Sequence, residues 1–183
     1  SGARHCALAY QLTGDERYGR RAADILLWYA RNYHTFPPGR GPAGRGRVHS
    51  QSLTESTWLI RMFHNADLVD DVFTDAERGA VERDLVRAGA EHISEYTFGI
   101  HNIQCWHNAC MAIAGYYLGD PDLVARGEEG RIGFHEQVEQ GILEDGMWYE
   151  RSMGYHYYTL NALIAHIEAA RRNGKPLHED DRI

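Results

Sequence analysis

Apolar residues recur three and four positions apart along most of the chain, the spacing that gathers them on one face of an α-helix. The rhythm runs through Ala22, Ile25, Leu26, Tyr29 and Ala30, through Leu53, Thr57, Trp58, Ile60 and Met62, and through Val81, Leu85, Val86 and Ala90. Each set predicts an amphipathic helix with one buried face. Ala3 to Leu12 reads as a further helix. Thr74-Asp75 opens a helix with an acid in its first turn, and Asp120-Pro121 opens another with proline where the missing N–H costs nothing. No alternating pattern predicts a strand, and Val138 to Leu143 is too short and too charged to count as one. The predicted fold class is all-α.

The helices are punctuated at a rough period. Breaks fall near Gly14, Thr74, Gly119 and Gly174, about 45 to 60 residues apart, a spacing that suits stacked antiparallel helical hairpins. Such hairpins curve into an (α/α) toroid with a central groove. Two segments interrupt the helical text. Thr35 to Arg47 holds three of the five prolines and four glycines and is a loop. Within it Gly39-Arg-Gly-Pro-Ala-Gly44 spells a dinucleotide fingerprint, but no strand precedes it and a proline lies inside it, so that function is excluded. Leu143 to Gly154 is the second break, with Asp145-Gly146 and a dense set of aromatics. The organisation expected is one domain over residues 1–183, with the loop 35–49 as an insertion lining the groove.

Composition narrows the class. The chain has 183 residues, 43% hydrophobic and 25% charged, the balance of an ordinary globular protein. A net charge of −7 argues against nucleic acid as a partner. No apolar run reaches the ~20 residues of a membrane span, so no membrane partner is expected. Cys6, Cys105 and Cys110 are an odd count, unsuited to a disulfide framework, and Cys105 and Cys110 read as core thiols. The start, Ser-Gly-Ala-Arg-His5, lacks an apolar signal-peptide core and runs straight into helix, so the chain reads as a piece of a longer protein.

Three stretches carry candidate chemistry. His101-Asn-Ile-Gln-Cys-Trp-His-Asn108 puts Gln104, His107 and Asn108 on one helical face, one turn from His101, at the head of an apolar run. Buried imidazoles and amides are costly without partners, so these residues are either interhelix hydrogen-bonding groups or a site. Asp145 to Tyr158 combines Trp148, Tyr149, Glu150, Arg151, Tyr155, His156 and Tyr157. Aromatic faces suit sugar rings, and cations suit a carboxylate on the sugar. Arg47-Val-His-Ser-Gln-Ser-Leu-Thr-Glu55 adds Arg47, Gln51 and Glu55, and arginine grips carboxylates with its planar fork. His101, Cys105, His107 and Cys110 would share a metal only through a kinked helix, so neither metal nor cofactor is expected.

These stretches resemble known sequences. Asn102 to Ala109 running into Ile113 to Asp120, Glu144 to Tyr158, and Ser50 to Glu55 with Trp58 are together similar to the heparinase II/III and oligoalginate lyase superfamily, over residues 3 to 173. The resemblance implies an incomplete (α/α) toroid, with antiparallel β-sandwich domains lying outside this chain. It implies β-elimination on a uronic-acid polysaccharide or oligosaccharide, of alginate or heparin type, and a periplasmic or secreted location. It places the catalytic tyrosine at Tyr155, with Tyr157 as the alternative register. Asn102 matches the asparagine that meets the uronate carboxylate, and His107 matches a histidine of the same block. Many relatives carry histidine directly after that asparagine; here Ile103 stands there, and His101 is the alternative. The remaining groove residues implied are Arg47, Gln51, Glu55, Gln104, Trp106, Trp148, Glu150, Arg151, His156 and Tyr157.

The chemistry needs three things. Elimination takes the proton from C5 of the uronate and expels the glycosidic oxygen at C4. The charge that develops on the carboxylate must be stabilised, the proton must be accepted, and the leaving oxygen must be protonated. A free phenol ionises only near pH 10, and nearby positive charge, from Arg151 or a protonated histidine, would lower that value toward a useful one. Two rivals remain. A glycoside hydrolase needs a carboxylate pair about 5 or 6.5–9.5 Å apart, for which Glu55, Asp145 and Glu150 are candidates. A non-catalytic glycan-binding piece would use the aromatics as a platform.

Overall fold

The computed structural model describes residues 2–39 and 45–179. The fingerprint-like Gly39–Gly44 stretch therefore lies almost wholly outside the described residues. The chain divides into two compact units between His92 and Ile93, within the helix Ala88–Ser94. No strand occurs among the described residues, and the fold is all-α. No described helix is long and apolar enough to cross a membrane.

The first unit begins with α1 (Gly2–Thr13) and α2 (Glu16–Asn32), which form a hairpin. Gly14 closes it in the left-handed region at φ 68°, and Asp15 caps α2 by accepting the Arg17 N–H at 3.0 Å. α3 (Ser52–Leu68) packs on both. α4 (Asp75–Val81) opens with a reciprocal capping box between Thr74 and Glu77. It continues through a π-helical stretch, Glu82–Arg87, into α5 (Ala88–Ser94). Of the predicted apolar positions Leu26, Ile60, Met62 and Leu85 are buried, whereas Leu53, Thr57 and Trp58 are only half-buried; in α3 Leu59 and Phe63, outside the predicted set, are closed to solvent instead.

The second unit is arranged around α6 (Asn102–Leu118). It packs against α7 (Pro121–Glu128) and α9 (Met153–Arg172), with α8 (Phe134–Gly141) beside it. Gly119, at φ 63°, ends α6, and Asp120 and Pro121 start α7 as the sequence predicts. Phe134, Val138, Trp148, Leu163, Ile167 and Leu177 form a continuous core. α6 and α9 run side by side in the same direction. Asn102 at the head of α6 meets Glu150 just ahead of α9, the Trp106 ring lies 5.3 Å from the Tyr158 ring, and Glu128 joins Tyr116 near the end of α6 to Lys175 beyond the end of α9.

Candidate functional site

The candidate residues of the first unit are organised by a buried acid. Glu55, in the first turn of α3, is completely buried and accepts the backbone N–H groups of Val48 at 3.3 Å and His49 at 2.8 Å. The carboxylate closes the turn that leads into α3, so it is turned toward backbone donors of its own loop. Arg47 donates to the Phe36 carbonyl at 3.3 Å and sits 5.9 Å from the centre of the Tyr33 ring. Gln51 is exposed.

The second unit carries the denser arrangement. His101 caps α6: its Nδ1 accepts the Ile103 N–H at 3.2 Å. A backbone N–H can only donate, so Nδ1 holds a lone pair and the neutral ring keeps its proton on Nε2. The same logic applies to His156, whose Nδ1 accepts the Trp148 N–H at 3.3 Å. In their neutral forms both rings offer an Nε2–H donor and no second acceptor.

Asn102 is 3% exposed, and its Nδ2 donates to Glu150 Oε2 at 2.8 Å. The Trp148 indole donates to the same oxygen at 2.7 Å. Trp148 is itself 2% exposed. Its ring presses so closely on α8 that a Cβ on Gly141 would lie 2.1 Å from it, which only glycine permits. The expectation of Trp148 as a sugar platform is thus met by a core residue whose polar N–H reaches the site. Ile142 and Trp148 form an isolated antiparallel bridge, which folds the segment back on itself. Arg151, exposed, ends that turn in the left-handed region at φ 52°, with its N–H on the Trp148 carbonyl at 2.9 Å.

Ser152 then caps α9, and the first turns of α9 present Tyr155 and Tyr157, 51% and 57% exposed. Tyr149 is different. Its hydroxyl donates to the Ile100 carbonyl at 2.7 Å, and burial, then the Glu150 charge, holds its pKa above the ordinary phenol value. That phenol is an anchor between the turn and the segment before α6.

The polar face of α6 points inward. Gln104 donates to Asn108 Oδ1 at 2.8 Å and accepts the Phe98 N–H at 2.9 Å, while Asn108 donates to the Ile132 carbonyl at 2.8 Å. His107 has no exposed surface; its Nδ1 lies 3.4 Å from the Tyr96 carbonyl and its ring meets Phe98 edge-on at 5.4 Å. The shared face predicted for Gln104, His107 and Asn108 is present, and these groups knit α6 to its neighbours. Trp106 is half-buried against Tyr158. Burial pushes the Cys105 thiol far up, with the Glu150 charge adding to it, so Cys105 is an inert core thiol.

Sequence reasoning missed Gln137. Fully buried, it accepts the His101 N–H at 3.1 Å and donates to the Gly99 carbonyl at 2.8 Å, fixing the segment that leads into α6. The available signal was its position among Phe134, Val138 and Gly141, on the inward face of α8. Among the described residues no group of three or more His, Cys, Asp or Glu side chains is placed to hold a metal ion.

Comparison with known proteins shows the family to which the chain belongs. The chain is 33% identical over 175 residues to an alginate lyase of Stenotrophomonas maltophilia, covering 90% of this chain and 23% of that protein. It is 32% identical over 181 residues to an exo-oligoalginate lyase of Saccharophagus degradans, covering 93% of this chain and 24% of that protein. The chain thus spans about a quarter of the length of each relative. The family model for alginate lyase matches residues 2–182. The chain belongs to the alginate lyase family.

Proposed function

We propose that this chain is the helical catalytic region of a polysaccharide lyase that cleaves an alginate-type uronate glycan by β-elimination. The observation that carries the reading is the meeting of Asn102, at the head of α6, with Glu150, ahead of the α9 turns that expose Tyr155. Asn102 supplies an N–H donor for the uronate carboxylate, which takes up charge as the C5 proton leaves. Tyr155 carries the proton. In syn elimination it accepts the C5 proton as a phenolate and returns one to the C4 oxygen as that bond breaks, while the C4–C5 double bond forms. Tyr157 is the alternative proton carrier. His101 and His156 contribute Nε2–H donors toward the anionic sugar, consistent with the acceptor role their Nδ1 atoms already play. The relatives are an alginate lyase and an exo-oligoalginate lyase, which supports alginate or its oligomers as the substrate.

The carboxylates a hydrolase would need are otherwise engaged. Glu55 is held by loop N–H groups, Asp145 accepts the Met147 N–H at 3.0 Å, and Glu150 is shared by Asn102 and Trp148. The test uses the full natural protein with alginate, alginate oligomers, heparin, heparan sulfate and hyaluronan in separate reactions. Growth of the ultraviolet absorbance of an unsaturated uronate on alginate or its oligomers is the expected result. New reducing ends without that absorbance would overturn elimination. Absorbance on a sulfated glycan alone would overturn the substrate assignment.

A further inference from the structure

We infer that Glu150 is a positioning residue that fixes the orientation of the Asn102 amide; the inference rests on the proposed role of Asn102. An amide side chain offers two ends of nearly equal shape, one that donates and one that accepts. A uronate carboxylate is stabilised by the first and repelled by the second. Something must therefore choose the end, and α6 itself does not.

Glu150 makes the choice. One Asn102 Nδ2 hydrogen lies on Glu150 Oε2 at 2.8 Å. Turning the amide over would set Oδ1 against a carboxylate oxygen, two acceptors in contact. The retained orientation leaves the second Nδ2 hydrogen for another partner. Glu150 is in turn held from behind by the Trp148 indole at 2.7 Å on the same oxygen. Trp148 is locked in the core by its packing on Gly141. A rigid relay thus runs from the core through the indole N–H and the carboxylate to the amide. Supporting residues of this sort keep a reacting constellation within a fraction of an ångström of its working geometry. The relay also gives a reason for a negative charge beside a site for anions. The two charge-assisted hydrogen bonds on Oε2 hold the carboxylate in place, and both donors converge on a single atom that a carbonyl oxygen can imitate.

In the full natural protein, kcat and KM are measured for Glu150→Ala, Glu150→Gln, Asn102→Ala and the double Asn102→Ala/Glu150→Ala variant, with a thermal melt for each. Glu150→Ala is expected to lose about 10- to 100-fold in kcat, most of what removal of an oriented donor costs, with a smaller change in KM. Glu150→Gln, whose amide oxygen accepts from both donors, is expected to recover at least half of that loss on a logarithmic scale. The double variant is expected to match Asn102→Ala within about twofold, because a residue acting only through Asn102 has nothing left to act on. Additive losses, or a Glu150→Ala variant with wild-type kcat, would overturn the inference while leaving the role of Asn102 intact. Equal damage from Glu150→Gln and Glu150→Ala would overturn it in favour of a direct role for the charge. Wild-type kcat in Asn102→Ala would instead overturn the role of Asn102. If Glu150→Ala does not fold, Glu150→Gln decides against Asn102→Ala: nearer wild type supports the inference, equal impairment overturns it.

Discussion

At the end where α6 and α9 begin, polar groups lie at or just beneath the surface: Asn102 and Glu150 are joined, and Tyr155 and Tyr157 stand in solvent. At the end where the same two helices finish, the polar groups turn inward. Glu128 is 2% exposed, accepts from the Tyr116 hydroxyl and from Lys175 Nζ at 2.8 Å, and lies 3.7 Å from His166 Nε2. His166 is buried against the Phe134 ring at 4.9 Å. The two clusters use similar side chains. One ties the hydrogen-bonding capacity of its acid to a neighbouring amide and leaves hydroxyls outside; the other collects its donors around a single buried carboxylate. In the proposed function the first meets the substrate, while the second ties the ends of α6, α7 and α9 together.

The largest effect on stability is expected at Glu128. Glu128→Ala removes the partner of the half-buried Tyr116 hydroxyl, while Lys175, 44% exposed, regains water; it is expected to lower stability by about 2 kcal/mol, the cost of leaving a buried polar group unsatisfied. Chemical denaturation of the full natural protein would show it, with kcat of the folded fraction within about twofold of wild type. At the other end Asn102→Ala should invert the pattern: kcat falls about 100-fold, as when an oriented donor is removed, and the melting temperature moves little.

Acid sharpens the contrast. Burial pushes the Glu128 carboxyl up, but His166, Lys175 and Tyr116 outweigh it and hold it at about 2, against 4.5 when unfolded. The unfolded chain thus takes up that proton first, and the stability Glu128 supplies above pH 4.5 is lost as pH falls toward 2. Burial also holds the His166 ring below its ordinary 6.5, with Glu128 opposing, so protonation below 6.5 again favours the unfolded chain. Stability measured from pH 7 down to pH 3 should fall continuously, and Glu128→Gln should flatten the part below pH 4.5. The smallest effect is expected at Arg151, whose left-handed backbone costs a non-glycine residue roughly 1 kcal/mol. Arg151→Gly should raise stability by about that amount, read as a rise in the denaturation midpoint.

The difference between the two ends also marks what a sequence discloses. Helices are local, so their spacing and caps were legible: Asp120-Pro121 starts α7 and Gly119 ends α6 where the pattern puts them. The shared face of Gln104 and Asn108 was legible for the same reason, as an i, i+4 pair. The partners of Glu150 and Glu128 were not. Glu150 meets a residue 48 positions away and Glu128 one 47 away, and no local period encodes such a pairing. Trp148 misled because an aromatic in a glycine-containing turn reads as exposed, whereas Gly141 had cleared space for it in the core. The π-helical stretch was hidden because Val81, Leu85, Val86 and Ala90 fit an ordinary helical face and are all buried.

The role proposed for the exposed phenol at the head of α9 is to move the proton in the elimination. It is tested most directly by the rate of unsaturated-uronate formation from alginate oligomers in the full natural protein and its Tyr155→Phe variant, with Tyr157→Phe beside it. A loss of roughly 10²- to 10⁴-fold in kcat is expected for Tyr155→Phe, the usual worth of a positioned acid–base group, with an unchanged melting temperature. A Tyr155→Phe variant that forms the unsaturated product at the wild-type rate would contradict it.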